Sequence, residues 1–241
     1  MASSSIPRWK VALQAAISKY EKQTVFQLAT LDPTSAIPHV RSHIFRAFLE
    51  SSKYPSLPLL ISSTDIRTPK ITQIATHPDI ELAWWIEGAN QQFRVTARAY
   101  IVSDPKFNLH EHFMQTLFAA KPETGSGLAI INSEGLNWEA KRLEIFKTMS
   151  GHMKASWCRP TPGSKLDNPE DAKKWPETVK EPKEGDSEEV KKNWDIALGN
   201  FALLVLDPFE VDFVDMSIIP NERAKFYRTT KGEWEEVSVV P

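Results

Sequence analysis

Cationic and hydroxyl side chains gather where the sequence passes between extended and helical character. Arg41 and Arg46 share one run, Ser62, Ser63 and Thr64 close the next, Arg67, Thr68 and Lys70 follow directly, and Gln92 and Arg94 come later. Guanidinium forks, an ammonium and hydroxyls match the oxygens of a phosphate, and a helix opening in that region would add its partial positive charge. As a set they could clamp one phosphate-bearing ligand; taken singly, each is more often a solvated or salt-bridged surface residue. Glycine-rich phosphate loops are excluded: neither GxGxxG nor GxxxxGK[ST] occurs, and glycine supplies only 9 of 241 residues. Other constellations carry less. His39 and His43 lie on one face of a strand but lack a third ligand at matching spacing, so no metal site is read. His110 and His112 point to different sides of a helix. Cys158 reads as a small packed thiol, and Gly125-Ser126-Gly127 as a loop without the GxSxG pattern of a hydrolase. No side chain stands out as a general acid or base.

This clamp must act locally, because the chain as a whole has no basic surplus. Lys and Arg number 29 against 31 Asp and Glu, a net charge of -2, which argues against general nucleic-acid binding. A lone cysteine suits a reducing, cytoplasmic setting. The start, Met-Ala-Ser-Ser-Ser-Ile-Pro, lacks the basic and apolar segments of a signal peptide, and no run approaches the roughly 18 apolar residues of a membrane helix. A protein without membrane or nucleic-acid partners is expected.

The elements that must position the clamp follow from periodicity. Trp9, Leu13, Ala16, Ile17 and Tyr20 recur at helical spacing over 7–20. Residues 24–31 and Pro38–Leu49 flank the turn-rich Asp32-Pro33-Thr34-Ser35 and predict a hairpin. A buried strand over 57–62 precedes Thr64-Asp65, which can cap a short helix running to Ala75. Residues 80–86 and 92–102 predict paired strands, the second alternating Phe93, Val95, Ala97, Ala99 and Ile101 with polar neighbours. Helices are expected over 109–120 and 137–149. Residues 165–192 hold 7 basic and 9 acidic side chains with Trp175 nearly alone among them, which reads as a solvated, charged insertion in a single domain. A helix starting near Ser187 should end at Gly199, and 201–206, 211–216, 225–229 and 234–240 predict a closing meander broken at Asp207-Pro208, Pro220-Asn221 and Lys231-Gly232.

About eight strands in hairpin order with interposed helices define a mainly β, α+β fold: an antiparallel split β-barrel with flanking helices. At the clamp residues the chain resembles the pyridoxamine 5′-phosphate oxidase family of FMN-binding split barrels, in a divergent branch. Val40-Arg41-Ser42-His43-Ile44-Phe45-Arg46 is similar to that family's Arg-x-Val-Leu-Leu-Lys strand, with Arg46 in place of the lysine. Ser63-Thr64 and Arg67-Thr68-Pro69-Lys70 resemble its Tyr-Thr and Ser-Arg-Lys phosphate segments, and Gln92-Phe93-Arg94-Val95 its Gln-Val-Arg-Ile. Lys154 to Gly163 resembles a segment that in homologues helps complete the site from the second subunit. The resemblance implies FMN bound by Arg41, Ser42, His43, Ile44, Arg46, Ser63, Thr64, Arg67, Thr68, Lys70, Gln92 and Arg223. Arg67 would compensate for Pro69, which stands where the family has arginine. A homodimer with the flavin at the subunit interface is implied, with Trp84, Trp85, Phe93 and Phe45 as interface or barrel-filling aromatics. So is an FMN-dependent oxidoreductase acting on a small molecule; a flavin-binding or sensing module without turnover is the alternative. The family's Arg-Leu-His substrate motif falls near Ile219-Pro220-Asn221, which argues against pyridoxamine phosphate as the substrate.

Overall fold

The computed structural model describes residues 6–241, so residues 1–5 of the start read above lie outside them. Six strands close a barrel: β1 (Val25–Leu31), β2 (Pro38–Leu49), β3 (Leu59–Asp65), β4 (Asp79–Ile86), β5 (Gln91–Val102) and β6 (Phe201–Asp215). Their order is β3-β2-β1-β4-β5-β6, with β3 pairing back onto β6, and every pairing is antiparallel. β7 (Glu222–Arg228) and β8 (Trp234–Val239) extend the sheet beyond β6. This is the antiparallel barrel expected from the strand pattern.

Alternation decides what fills the barrel. Phe26 and Leu28 of β1, Leu82 and Trp84 of β4, and Phe93, Val95 and Ala97 of β5 point inward and are almost fully buried together. The opposite faces of β3, β5 and β6, carrying Ile61, Tyr100, Val102, Leu203 and Val205, pack a second core beneath helices. Those helices are α3 (His110–Phe118), α4 (Gly127–Ser133), α5 (Trp138–Thr148), α6 (Gly151–Ser156) and α7 (Glu188–Asn200). Arg142 of α5 is wholly buried there, satisfied by Glu139, Asp104 and the Leu198 and Phe201 carbonyls. α1 (Arg8–Lys19) lays Trp9, Leu13 and Ala16 on the barrel core, while α2 (Lys70–Thr76) inserts Ile71 and Ile74.

Three expectations are corrected. Thr64 and Asp65 belong to β3, and Asp65 Oδ1 accepts from the Arg67 N–H in the turn that follows; α2 starts later, behind Pro69, without a side-chain cap. Asp207-Pro208 does not end a strand, because β6 runs through it. A bulge in β6 leaves Phe209 extra between Pro208, opposite Ala97, and Glu210, opposite Thr96, and bulges are among the few strand positions that tolerate proline. Gly199 lies inside α7, which passes directly into β6. Gly125-Ser126-Gly127 also proves more ordered than a loop: the Ser126 hydroxyl accepts from the Ala129 N–H and starts α4.

Candidate functional site

Register separates the predicted clamp into an inward and an outward set. Arg41 and His43 lie opposite Leu28 and Phe26 and therefore face the barrel interior. A bulge between Phe45 and Ala47 leaves Arg46 unpaired in the ladder, and its Nε donates to Ser63 Oγ at 3.0 Å. Ser42 lies opposite Gln27 and donates to its Oε1 at 3.1 Å on the outer face. Ile44 shares that face, on a row that leads through Val25 and Trp85 to Gln92, Val214 and Arg223.

At the barrel mouth the inward set meets the start of α2. Lys70 Nζ donates to Thr64 Oγ1 at 3.0 Å and Thr68 Oγ1 at 2.8 Å. The Arg41 guanidinium donates to Thr30 Oγ1, to the His39 carbonyl at 2.9 Å and to Gln73 Oε1 at 3.0 Å. All these partners are neutral. The nearest carboxylate, Asp65, is occupied by Arg67, whose Nε and Nη2 donate to it at 3.0 and 2.6 Å, while its Nη1 reaches the Arg159 carbonyl at 2.8 Å. Burial, and next the Arg41 charge, lower the Lys70 ammonium to about 8, with Asp65 offsetting part of the effect. Burial also lowers Arg41 and Arg46. A half-buried cation whose contacts are hydroxyls and amides, beside a second such cation, is electrostatically incomplete and favours an anion between them.

His43 belongs to the same polar pocket. Its ring stacks on Phe26 with centroids 5.9 Å apart, Nδ1 lies 3.3 Å from Ser62 Oγ, and Nε2 is buried without a partner. Burial, then the charges of Lys70 and Arg41, lower this imidazole to about 3, so it is neutral at physiological pH. It can orient a ligand as a neutral donor or acceptor but is not a general acid.

The remaining predicted residues are placed elsewhere. Arg67 is a tie between β3 and the segment after α6. Arg223 is held by both oxygens of Asp212, at 2.9 and 2.7 Å, and Arg94 pairs with the same carboxylate. Gln92 lies on the outer row, separated from Ile44 by three strand spacings of about 4.8 Å each. One chain thus brings Arg41, His43, Thr64, Thr68 and Lys70 together and leaves Gln92 and Arg223 apart from them. Sequence reasoning missed Thr30 and Gln73, which hold Arg41 in place; Thr30 was legible as the inward member of an alternating run.

A cleft of about 590 Å³ opens from Thr68 and Lys70 toward Trp157, Arg159, Pro162 and Trp175. Another, of about 570 Å³, lies over β5 and β6, where Asp207 is shared by Ser126 Oγ at 2.6 Å and by Arg228. Its buried charges balance each other.

The fold is that of an antiparallel split barrel, and the comparisons agree. Residues 6–103, which carry β1 to β5, match the family model described as pyridoxamine 5′-phosphate oxidase, FMN-binding domain. Among curated proteins no relative matches. A solved pyridoxamine 5′-phosphate oxidase-related, FMN-binding protein of Nostoc punctiforme PCC 73102 is 23% identical with a TM-score of 0.68, over 98% of this chain and 100% of its own. PhzG from Burkholderia lata 383, solved in complex with tetrahydrophenazine-1-carboxylic acid, is 12% identical with a TM-score of 0.58, over 100% of this chain and 95% of its own. At these identities the likeness shows the shared fold. None of the helices is long and apolar enough to cross a membrane among the described residues.

Proposed function

We propose that the chain is an FMN-dependent oxidoreductase working as a homodimer, with the flavin phosphate seated between Arg41 and Lys70. The reading rests on one observation: these two cations are partly buried, close enough to repel, and bonded only to neutral groups. A phosphate supplies the missing negative charge, while the Thr64 and Thr68 hydroxyls, which donate to the Asp65 carbonyl and accept from Lys70, hold that ammonium in place. Arg46 and the β2 backbone at Ser42, His43 and Ile44 would line the cofactor beyond the phosphate. A bound flavin would supply the hydride or electron transfer, and the protein's part is to hold and orient it.

A second copy of the chain explains the outward row. Val25, Val40 and Trp85 expose 45%, 65% and 43% of their surface on or beside the strands that carry Ser42, Ile44 and Gln92. Pairing that face across a two-fold axis covers the apolar side chains and brings Gln92 of one subunit to the flavin of the other. The substrate is a small molecule that does not need an imidazole or guanidinium at the β6–β7 tip, where Ile218 and Ile219 stand exposed instead.

The test is the visible spectrum of the purified protein with mass analysis of what heat releases, followed by anaerobic reduction with NADH and NADPH. Released FMN that either donor reduces supports the proposal. Bound FMN that neither donor nor dithionite-linked turnover engages supports the module without turnover. A colourless protein that ignores added FMN overturns the flavin reading.

A further inference from the structure

Beyond the phosphate seat, the cleft of about 590 Å³ beside Lys70 is far larger than one phosphate requires and falls in the range of about 300–1,000 Å³ that holds a whole small ligand. Its floor is Thr68 and Lys70; its far side is Arg159, Pro160, Pro162 and Trp175. None of these far-side residues belongs to the barrel.

Two features of this cleft point to one chemistry. The first is charge. Arg159 has no carboxylate partner among the described residues, and its guanidinium stands 5.9 Å from the centroid of the Trp175 ring. Lys70 on the floor likewise bonds only hydroxyls, while the one acid in the lining, Asp65, is already claimed by Arg67. The second is shape and stiffness. Trp175, Pro160 and Pro162 offer flat apolar faces, and the segment that carries them is tied down where it leaves α6. Arg67 donates to the Arg159 carbonyl at 2.8 Å, and Asn200 Nδ2 to the Trp157 carbonyl at 2.8 Å. Flat apolar faces alternating with unpaired cations fit an aromatic ring attached to a phosphate.

We infer that this cleft is a subsite for a nucleoside phosphate, its base stacked on Trp175 and its phosphate between Arg159 and Lys70. The inference rests on the flavin reading for its neighbour, since the nucleotide then adjoins the flavin phosphate. Two sources share this chemistry: the adenylyl half of a dinucleotide flavin, and the adenosine phosphate of a nicotinamide dinucleotide donor. Trp175 would give the charged 165–192 segment a role at the site.

The experiment is calorimetric titration of the full-length protein with ADP, FMN and FAD, for the wild type and for Trp175→Ala and Arg159→Gln, each checked for an unchanged melting temperature. ADP should bind the wild type and lose about tenfold or more in affinity in either variant, while FMN affinity changes less than about twofold. FAD preferred to FMN in the wild type, with the preference erased by Trp175→Ala, assigns the site to the flavin's own adenylyl group. Equal binding of the two flavins, with ADP binding to FMN-loaded protein and a raised KM for NADPH in Trp175→Ala, assigns it to the donor. ADP that does not bind, or that binds both variants as it binds the wild type, overturns the subsite even where FMN binds. FMN that fails to bind while ADP binding still depends on Trp175 overturns the flavin reading and leaves the nucleotide site standing.

Discussion

The charge on Lys70 makes flavin affinity dependent on pH in a direction that can be worked out beforehand. In the free protein, burial and the Arg41 charge lower this ammonium from 10.5 to about 8. Above that value the free protein must take up a proton to present the cation, so each further pH unit weakens phosphate binding by up to about tenfold. The second ionisation of a phosphate monoester lies near 6, so from pH 7 upward the ligand's own charge is constant. Between pH 7 and 9.5 the FMN dissociation constant of the wild type should therefore rise roughly 10- to 30-fold. Lys70→Arg keeps its charge throughout that range and should flatten the profile. Lys70→Ala removes one charge-assisted contact, worth about 1.5–3 kcal/mol, and should cost about 10- to 150-fold at pH 7. The unliganded protein should show the opposite trend in stability. Its folded state holds the Lys70 proton less tightly than the unfolded chain does, so stability rises with pH from about 8 toward 10.5, and Lys70→Ala abolishes the rise. Flavin fluorescence titrations at half-unit pH steps read the first effect, and urea denaturation reads the second. A flat wild-type affinity profile, or Lys70→Ala binding FMN like the wild type, would refute the placement of the phosphate.

Other consequences can be measured independently. Arg142→Met leaves Asp104, Glu139 and two carbonyls beneath the helical layer without their buried donor and should cost about 3–5 kcal/mol in urea denaturation; a loss below about 1 kcal/mol would contradict the role given to that network. His43 is lowered to about 3, below its ordinary 6.5, so the unfolded chain binds the extra proton and stability falls as pH drops from 6.5 toward 3, by up to about 1.4 kcal/mol per unit. His43→Leu should lose that component, and equal slopes for both proteins would sink it. Trp85→Glu sets a charge in the exposed outward row and, on the homodimer proposal, should give a monomer in light scattering and weaken FMN binding; a variant that stays dimeric places the interface elsewhere.

The barrel was legible in the sequence wherever one face of a strand is buried and the other is not. Residues 93 to 99 alternate cleanly because that part of β5 runs between a filled barrel and a more open outer face, while Tyr100 and Val102 beyond it pack into the second core. The pattern fails where tertiary pairing overrides local signals. Pro208 reads as punctuation until the bulge at Phe209 of β6 is known, and Thr64-Asp65 reads as a cap until β3 is seen to need both residues to reach Ala202 and Phe201 of β6. The site shows the same limit in electrostatic form. Arg67 and Lys70 stand three residues apart, carry equal charge and looked equally suited to a phosphate. The structure separates them by a single carboxylate: Asp65 closes on Arg67 with two short bonds, and Lys70, turned to Thr64 and Thr68, is left without one. A residue's type in the sequence says what it can bind, whereas its capacity to bind a ligand depends on which opposite charges the fold has already brought within reach. By that criterion Arg67 and Arg223 are engaged by carboxylates, whereas Arg41, Arg46, Lys70 and Arg159 have neutral partners among the described residues.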